Sequence, residues 1–149
     1  MSRKDFLPFS PPFIGEEEIA EVVDSLRSGW ITTGPKTKKF EQEFSTYFNS
    51  PAALALSSCT AALHTALVIN KIGPGDEVIT TPMTFTATVA VIEHVGATPV
   101  LVDIQPDTMN IDPVKIQAAI TDKTKAVIAV HYGGHPCEMD EINSICNEN

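Results

Sequence analysis

Along the first fifty residues, apolar side chains recur every three or four positions, the spacing of one face of an α-helix. Two runs have this spacing and predict two helices: Ile19, Val22, Val23 and Leu26, then Phe40, Phe44, Tyr47 and Phe48. Gly29 follows the first run and is expected to end that helix. We expect the apolar stripe of the first helix to be buried. The irregular segment between the helices, residues 29–35, is a loop of the kind that often carries function.

From residue 52 onward the pattern changes to short apolar runs that alternate with helical stretches. Strands are predicted at residues 52–56, 77–80, 98–102 and 125–130, and helices at residues 60–70, 86–95, 113–120 and 138–147. The turn Gly73-Pro74-Gly75-Asp76 and the helix start Asp112-Pro113 agree with these boundaries. The order predicts an α/β fold with a mostly parallel sheet and helices on both faces. The chain then divides into an N-terminal helical segment, residues 1–50, and the first part of a large α/β domain, residues 51–149.

Composition narrows the range of functions. The net charge of −9 and the pI near 4.7 argue against nucleic acid as a partner, because nucleic-acid binders concentrate basic residues on one face. No window is apolar enough to span a membrane, and residues 1–10 hold Arg3 and Lys4 but no signal-peptide stretch, so a cytoplasmic location is expected. The three cysteines lack CxxC spacing, and neither a disulfide framework nor a zinc site is expected.

The segment from Ser57 to His64 is the most informative, since a predicted strand runs directly into an alanine-rich helix there. A helix N-terminus presents free backbone N–H groups that suit a phosphate or another anion. Ser58 and Thr60 could add hydroxyl donors, although a simple N-cap without a ligand is the commoner use of such residues. A third possibility is a Cys59 nucleophile with His64 or His131 as its base. The dinucleotide fingerprint GxGxxG and the phosphate loop GxxxxGK[ST] are both absent from the sequence.

Two further residues follow predicted strands and are expected at the edge of the sheet that binds ligands. Phe85 could stack on a flat heteroaromatic ring there, although most phenylalanines pack in a core. His131 opens a loop with the pattern H-x3-H-x-C, which lacks familiar metal-ligand spacing and is more simply a polar group near that edge.

Taken together, five ordered motifs resemble the DegT/DnrJ/EryC1/StrS aminotransferases, the sugar aminotransferase family of the fold-type I pyridoxal phosphate enzymes: Gly29-Trp30-Ile31-Thr32-Thr33-Gly34-Pro35, Ser57-Ser58-Cys59-Thr60-Ala61-Ala62-Leu63-His64, Gly73-Pro74-Gly75-Asp76-Glu77-Val78-Ile79-Thr80, Thr84-Phe85-Thr86-Ala87-Thr88 and Val130-His131-Tyr132-Gly133-Gly134. The resemblance covers nearly the whole chain. It implies an incomplete fold-type I large domain in a homodimeric enzyme. The implied reaction transfers an amino group, usually from glutamate, to a keto group of a nucleotide-linked sugar, with pyridoxal 5'-phosphate and its pyridoxamine form alternating.

The same resemblance implies roles for individual residues. The cofactor phosphate would be bound at Ser58, Cys59, Thr60 and Ala61, chiefly by the Thr60 and Ala61 amides. Phe85 would stack on the pyridine ring, and His131 would lie near the cofactor. The substrate would be bordered by residues of the first loop: Trp30, Thr32 and Thr33.

This sequence departs from the family pattern in two ways. Cys59 stands where the family commonly has glycine, which brings a thiol close to the phosphate. The lysine that forms the family's Schiff base and the acidic residue that pairs with the pyridine nitrogen are expected downstream, so residues 1–149 alone are predicted not to transaminate. A dehydratase of the same family and a non-catalytic binding or assembly fragment remain the alternatives.

Overall fold

The computed structural model describes Phe6 and residues 11–149, and the chain divides into two compact units, with the boundary between Ala55 and Leu56. The boundary predicted from the sequence lay after residue 50. The expectation that residues 1–10 hold no signal-peptide stretch concerns residues that lie outside the described part of the chain, apart from Phe6. Among the described residues, no helix is both long enough and apolar enough to cross a membrane.

The first unit contains two helices, α1 (Glu16–Ser28) and α2 (Pro35–Tyr47). Helix α1 begins where the Glu18 carboxylate accepts the Gly15 backbone N–H at 2.6 Å. It ends at Gly29, whose φ of 72° is left-handed as the sequence predicted. Lys36 of α2 donates to the carboxylates of Glu21 and Asp24 on α1, at 2.5 and 2.8 Å.

The prediction that the apolar stripe of α1 is buried is wrong for this unit. Ile19, Val22 and Leu26 are exposed. Amphipathic spacing identifies the face that prefers an apolar neighbour, but burial also needs a second element against that face. Helices α1 and α2 are not packed against each other along their lengths, and the described residues of this unit supply no other element against that face.

The aromatic side chains of α2 instead pack mainly on one another. The ring centroids of Phe40 and Phe44 lie 5.8 Å apart, and those of Phe44 and Phe48 lie 4.5 Å apart. All of these rings keep a large exposed fraction. Spacing of three or four residues on a helix is therefore sufficient to bring these rings together without a core.

The strand predicted at residues 52–56 is also wrong, because no strand forms there. A strand exists only where a neighbouring strand completes its hydrogen-bond ladder. The Ala55 amide donates instead to the Glu41 carboxylate of α2 at 2.9 Å. An apolar run indicates a preference for burial, but it does not supply the partner strand.

The second unit is an α/β structure built on a three-stranded parallel sheet. Its elements are α3 (Cys59–Ile69), β1 (Glu77–Thr80), α4 (Ala87–His94), β2 (Thr98–Leu101), α5 (Pro113–Ala119), β3 (Thr124–Val127), a 3₁₀ turn (Tyr132–Gly134) and α6 (Met139–Glu148). The strand order is β2-β1-β3, with Glu77 aligned with Thr98 on one side and Thr124 on the other. The predicted parallel sheet is confirmed.

The two faces of β1 carry two separate cores. Successive residues of a strand point to opposite faces, and both Val78 and Ile79 are fully buried. Val78 packs in the cluster formed with α3 and α4: Leu67, Ile72, Val91, Ile92 and Ala97. Ile79 packs in the cluster on the other face, which includes residues of α5 and α6: Val102, Ile111, Ile116, Cys137 and Ile142. Helices therefore cover both faces, as predicted.

Both turn signals from the sequence are confirmed. Asp76 closes the turn before β1, since its carboxylate accepts the Gly73 N–H at 3.0 Å and Gly75 has a φ of 96°. Asp112 caps α5 by accepting the Val114 N–H at 2.9 Å, with Pro113 at the first helical position. These turns fix where β1 and α5 start.

Candidate functional site

The carboxyl edge of the sheet collects the predicted cofactor residues. Strand β1 leads to Phe85 and strand β3 leads to His131, and parallel strands end at the same edge. Helix α3 packs on Val78 of β1 through Leu63 and Leu67 and leads through the Gly73–Asp76 turn into the start of β1, so we expect its own beginning to lie near the end where β1 finishes. The topology therefore assigns Ser58, Cys59, Thr60, Ala61, Phe85 and His131 to one edge.

The first turn of α3 is partly satisfied by its own cap. Ser58 has extended backbone angles, and its hydroxyl oxygen accepts the Ala61 N–H at 3.1 Å. Within the described part of the chain, the amides of Cys59 and Thr60 make no hydrogen bond. The Ser58 O–H hydrogen is not used by that cap and can donate elsewhere. This end of α3 thus offers two free amides, a hydroxyl donor and the positive end of the helix dipole to an anion.

The thiol-nucleophile alternative receives no geometric support. Cys59 is exposed, and no hydrogen bond among the described residues joins its sulfur to a histidine. The His64 ring lies edge-on to His94, with ring centroids 6.3 Å apart. A nucleophile needs a base within hydrogen-bond reach, which His64 does not provide here.

Phe85 lies outside both cores. Its side chain is 80% exposed, directly before α4. The backbone on either side is held by short polar contacts: the Thr84 and Thr88 hydroxyls lie 2.7 Å apart, and the Thr88 amide donates to the Phe85 carbonyl at 3.0 Å. Phe85 is therefore an exposed flat apolar ring after β1, and not a core residue.

Buried threonines support this edge, and the sequence reasoning did not identify them. Thr80, Thr81 and Thr88 are buried, and the Thr80 hydroxyl donates to the Ile128 carbonyl at 2.9 Å. The Thr81 hydroxyl accepts the Met83 amide at 3.1 Å. The threonines where β1 ends could have indicated this role in the sequence. A threonine hydroxyl can form hydrogen bonds with backbone groups that are no longer paired with a neighbouring strand.

His131 begins the 3₁₀ turn after β3, and its Nδ1 accepts the Cys137 backbone N–H at 3.1 Å. The Cys137 thiol donates to the Val130 carbonyl at 3.2 Å, and burial raises the pKa of this thiol. The fold therefore favours the neutral thiol. The contribution of this thiol to the free energy of unfolding is lost as the pH rises into the alkaline range. Among the described residues, no group of three or more His, Cys, Asp or Glu side chains converges on one point.

The predicted substrate residues belong to the first unit, in the loop between α1 and α2. The Trp30 indole N–H donates to the Thr33 carbonyl at 3.0 Å, and the Trp30 backbone N–H donates to the Ser28 hydroxyl at 3.1 Å. Trp30 and Thr32 line a cavity of about 300 Å³, together with residues that include Asp24, Gly34 and Lys36. The hydrogen bond from Lys36 lowers the pKa of the exposed Asp24, and this pair of opposite charges, 2.8 Å apart, borders the cavity.

The chain matches known proteins along nearly its whole length. The sequence profile of the DegT/DnrJ/EryC1/StrS aminotransferase family matches residues 12–149. Over 143 residues the chain is 54% identical to the spore coat polysaccharide biosynthesis protein SpsC of Bacillus subtilis (strain 168), covering 96% of this chain and 37% of that protein. The chain thus spans little more than a third of the length of this relative.

Solved structures agree in fold. Spr1654 of Streptococcus pneumoniae, described as a candidate sugar aminotransferase, matches in its pyridoxal phosphate form with a TM-score of 0.87 and 54% identity, over 93% of this chain and 36% of that one. An aminotransferase from Psychrobacter cryohalolentis matches with a TM-score of 0.87 and 42% identity, over 95% of this chain and 36% of that one.

Proposed function

This chain belongs to the DegT/DnrJ/EryC1/StrS aminotransferase family, and we propose that it forms the part of a sugar aminotransferase that binds the phosphate and ring of the cofactor. Pyridoxal phosphate is the cofactor of this family, and Spr1654 has been solved in both its pyridoxal and pyridoxamine phosphate forms. Two observations support the proposal: the amides of Cys59 and Thr60 at the start of α3 are open, and the ring of Phe85, which follows β1, is exposed.

These residues fit the chemistry of the cofactor. A phosphate would accept the free amides of Cys59 and Thr60 and the hydroxyl hydrogen of Ser58, and the α3 dipole favours its negative charge. Phe85 offers its ring face to a flat heteroaromatic ring. When bound, the cofactor carries the amino group between donor and acceptor, and the protein supplies binding and orientation.

Ala61 has a smaller part in this proposal than the resemblance implied. Its amide is already used by the Ser58 hydroxyl oxygen at 3.1 Å. A phosphate would have to displace that cap, whereas the amides of Cys59 and Thr60 need no displacement. We therefore infer that Cys59 and Thr60 are the principal backbone donors, with Ser58 as the hydroxyl donor.

For the substrate, we propose a keto group on a nucleotide-linked sugar, with an amino donor such as glutamate. The name of SpsC refers to spore coat polysaccharide biosynthesis, which supports a role in making amino sugars for polysaccharides. Trp30, Thr32 and Thr33 are the proposed substrate residues, since an aromatic ring beside hydroxyl groups suits the apolar and polar parts of a sugar. A cytoplasmic homodimer is part of the same proposal.

The lysines of the second unit do not offer an amine at the proposed site. Lys71 precedes β1, and Lys123 and Lys125 lie at the start of β3, so these three are at the amino edge of the sheet. Lys115 is exposed on α5. The 149-residue chain by itself is accordingly expected not to transfer amino groups.

The test of this function is the reaction with the amino donor alone. The protein expressed from the complete encoding gene, loaded with pyridoxal phosphate and given L-glutamate, is expected to form 2-oxoglutarate in an amount equal to the cofactor. The 149-residue chain under the same conditions is expected to form none. If the complete protein forms no 2-oxo acid from any amino donor while it consumes a sugar nucleotide, the dehydratase alternative replaces the proposal.

Phe85→Ala in the complete protein is expected to weaken cofactor binding by about 5-fold, since an aromatic contact contributes about 1 kcal/mol beyond its buried area. Equilibrium dialysis against pyridoxamine phosphate measures this without any covalent capture. Phe85→Tyr is the matched control, because it keeps the ring face and should keep the affinity. Equal affinities for the alanine and tyrosine variants would remove Phe85 from the site.

A further inference from the structure

The loop after β3, which we call the His131 loop (residues 131–137), is braced by its own backbone. The Gly134 amide donates to the His131 carbonyl and the His135 amide to the Tyr132 carbonyl, both at 3.0 Å. Gly133 and Gly134 take left-handed φ values of 60° and 84°. The loop is therefore tightly turned, and two consecutive glycines permit that path.

A buried asparagine from a different segment holds this loop in place. The Asn110 side chain donates to the carbonyls of His135 and Pro136, at 3.0 and 2.9 Å, and accepts the Tyr132 amide at 2.9 Å. Asn110 is 1% exposed. Both of its N–H hydrogens and its oxygen are thus paired with the loop backbone, a set that aspartate cannot match because it has no N–H.

The backbone of Asn110 is itself fixed by a tight turn. Its carbonyl accepts the Gln105 amide at 2.9 Å, and its amide donates to the Thr108 hydroxyl at 3.2 Å. The preceding residue, Met109, has a φ of 62°, which is uncommon for a side chain of this size. Three local constraints therefore direct the Asn110 side chain towards the His131 loop.

The same loop decides which nitrogen of His131 carries hydrogen. The Cys137 backbone N–H can only donate, so Nδ1 of His131, 3.1 Å away, must present its lone pair. A neutral imidazole has one hydrogen, which is then on Nε2. His131 is an exposed residue, and Nε2–H is free to serve as a hydrogen-bond donor.

We propose that Asn110 is a positioning residue that sets the His131 loop, so that His131 presents an Nε2–H donor to a hydrogen-bond acceptor at the carboxyl edge of the sheet. The acceptor would be an oxygen or a nitrogen of the bound cofactor, and this proposed contact between His131 and the cofactor rests on the proposed function. The hydrogen position and the role of Asn110 do not depend on it.

Nitrogen-15 NMR of the histidine rings in the 149-residue chain tests the hydrogen position directly, at a pH where the imidazoles are neutral. The four histidines are distinguished by single His→Gln variants. The His131 signals are expected to show one tautomer with hydrogen on Nε2. A ring with hydrogen on Nδ1, or an even mixture of tautomers, would overturn the proposal.

Asn110→Leu tests the positioning role, because it removes all three bonds to the loop at similar volume. The expected result is a mixed His131 tautomer and faster hydrogen exchange of the Cys137 amide. Thr80→Val is the matched control, since it removes one buried side-chain bond in the same unit without touching the loop. If Asn110→Leu does not fold, Asn110→Asp replaces it, with the same expectation. An unchanged tautomer in a folded Asn110 variant contradicts the positioning role.

The proposed contact between His131 and the cofactor is tested by measuring the binding of pyridoxamine phosphate to the complete protein. His131→Gln places an amide N–H near the position of Nε2, whereas His131→Asn can accept the Cys137 N–H but reaches no further. We expect His131→Asn to lose about 5- to 10-fold in affinity, the effect of one hydrogen bond, and His131→Gln to lose less. Equal affinity of the wild type and His131→Asn would refute the ligand contact. If the wild type fails to bind, the proposed function fails, while the tautomer result still decides the role of Asn110.

Discussion

Replacing Cys59 with proline is expected to weaken binding of pyridoxamine phosphate by about 10- to 100-fold, because one hydrogen bond to a charged group contributes about 1.5–3 kcal/mol. Proline removes the Cys59 N–H, one of the two free amides at the start of α3. Helix α3 should persist, since proline is favoured at the first helical position. Ser58, with φ −162° and ψ 158°, already has the extended conformation that a following proline requires.

Cys59→Ala is the matched control, because it keeps the amide and removes the thiol. Its affinity should stay close to that of the wild type, and Cys59→Gly, the residue common in the family, should behave in the same way. Equilibrium dialysis gives the affinities, and circular dichroism reports whether α3 remains folded. If the proline variant is folded and binds as tightly as the alanine variant, the cofactor phosphate does not accept the Cys59 amide.

Gly34→Ala is expected to displace the indole of Trp30 and open the loop between α1 and α2. A Cβ at position 34 would lie 2.0 Å from the indole nitrogen, far inside contact distance. Its backbone is extended, with φ −163°, so the cause is the close approach of the ring and not a left-handed conformation. Overpacking of this kind costs about 1–3 kcal/mol, which disfavours the loop conformation with the indole on Gly34 by roughly 5- to 150-fold.

The chain has one tryptophan, so its fluorescence reports on this loop alone. We expect the fluorescence emission of Gly34→Ala to shift to longer wavelength and to be quenched more strongly by acrylamide, because the indole loses its contacts with Gly34 and Thr33 and becomes more exposed to water. Gly15→Ala is the control, since it lies in the same unit, and its Cβ would approach only the flexible Glu18 carboxylate, at 3.3 Å. Identical emission from wild type and Gly34→Ala would show that the ring does not rest on Gly34 in solution.

The positions of most helices and strands follow from the local sequence, because caps and turns depend on residues close together in the chain. Gly29 ends α1 because glycine accepts a left-handed φ at low cost, and Asp112 with Pro113 starts α5 by capping and by a preset φ. The predicted strands 77–80, 98–102 and 125–130 lie within three residues of the observed bounds of β1, β2 and β3. Their ends were less well predicted, because a strand ends where its partner ends.

The candidate site was predictable as a set of positions but not as a set of bonds. Strand ends and a helix start placed Ser58, Phe85 and His131 at one edge, by the topology of parallel strands. The resemblance assigned the Ala61 amide to the phosphate, whereas the structure pairs it with Ser58. Asn110 was overlooked because its three partners lie more than twenty residues away in sequence.

The sequence by itself determined the helices, the turns and the succession of strands and helices along the chain, since these depend on side chains within a few residues of one another. Only the tertiary structure decided burial and long-range pairing. The apolar stripe of α1 is exposed and residues 52–56 form no strand, because neither finds a partner surface. Phe85 is exposed while the neighbouring Thr88 is buried, since the path of the chain at the end of β1 directs the two side chains differently. Hydrophobic pattern states which residues favour burial, and packing decides which of them are buried.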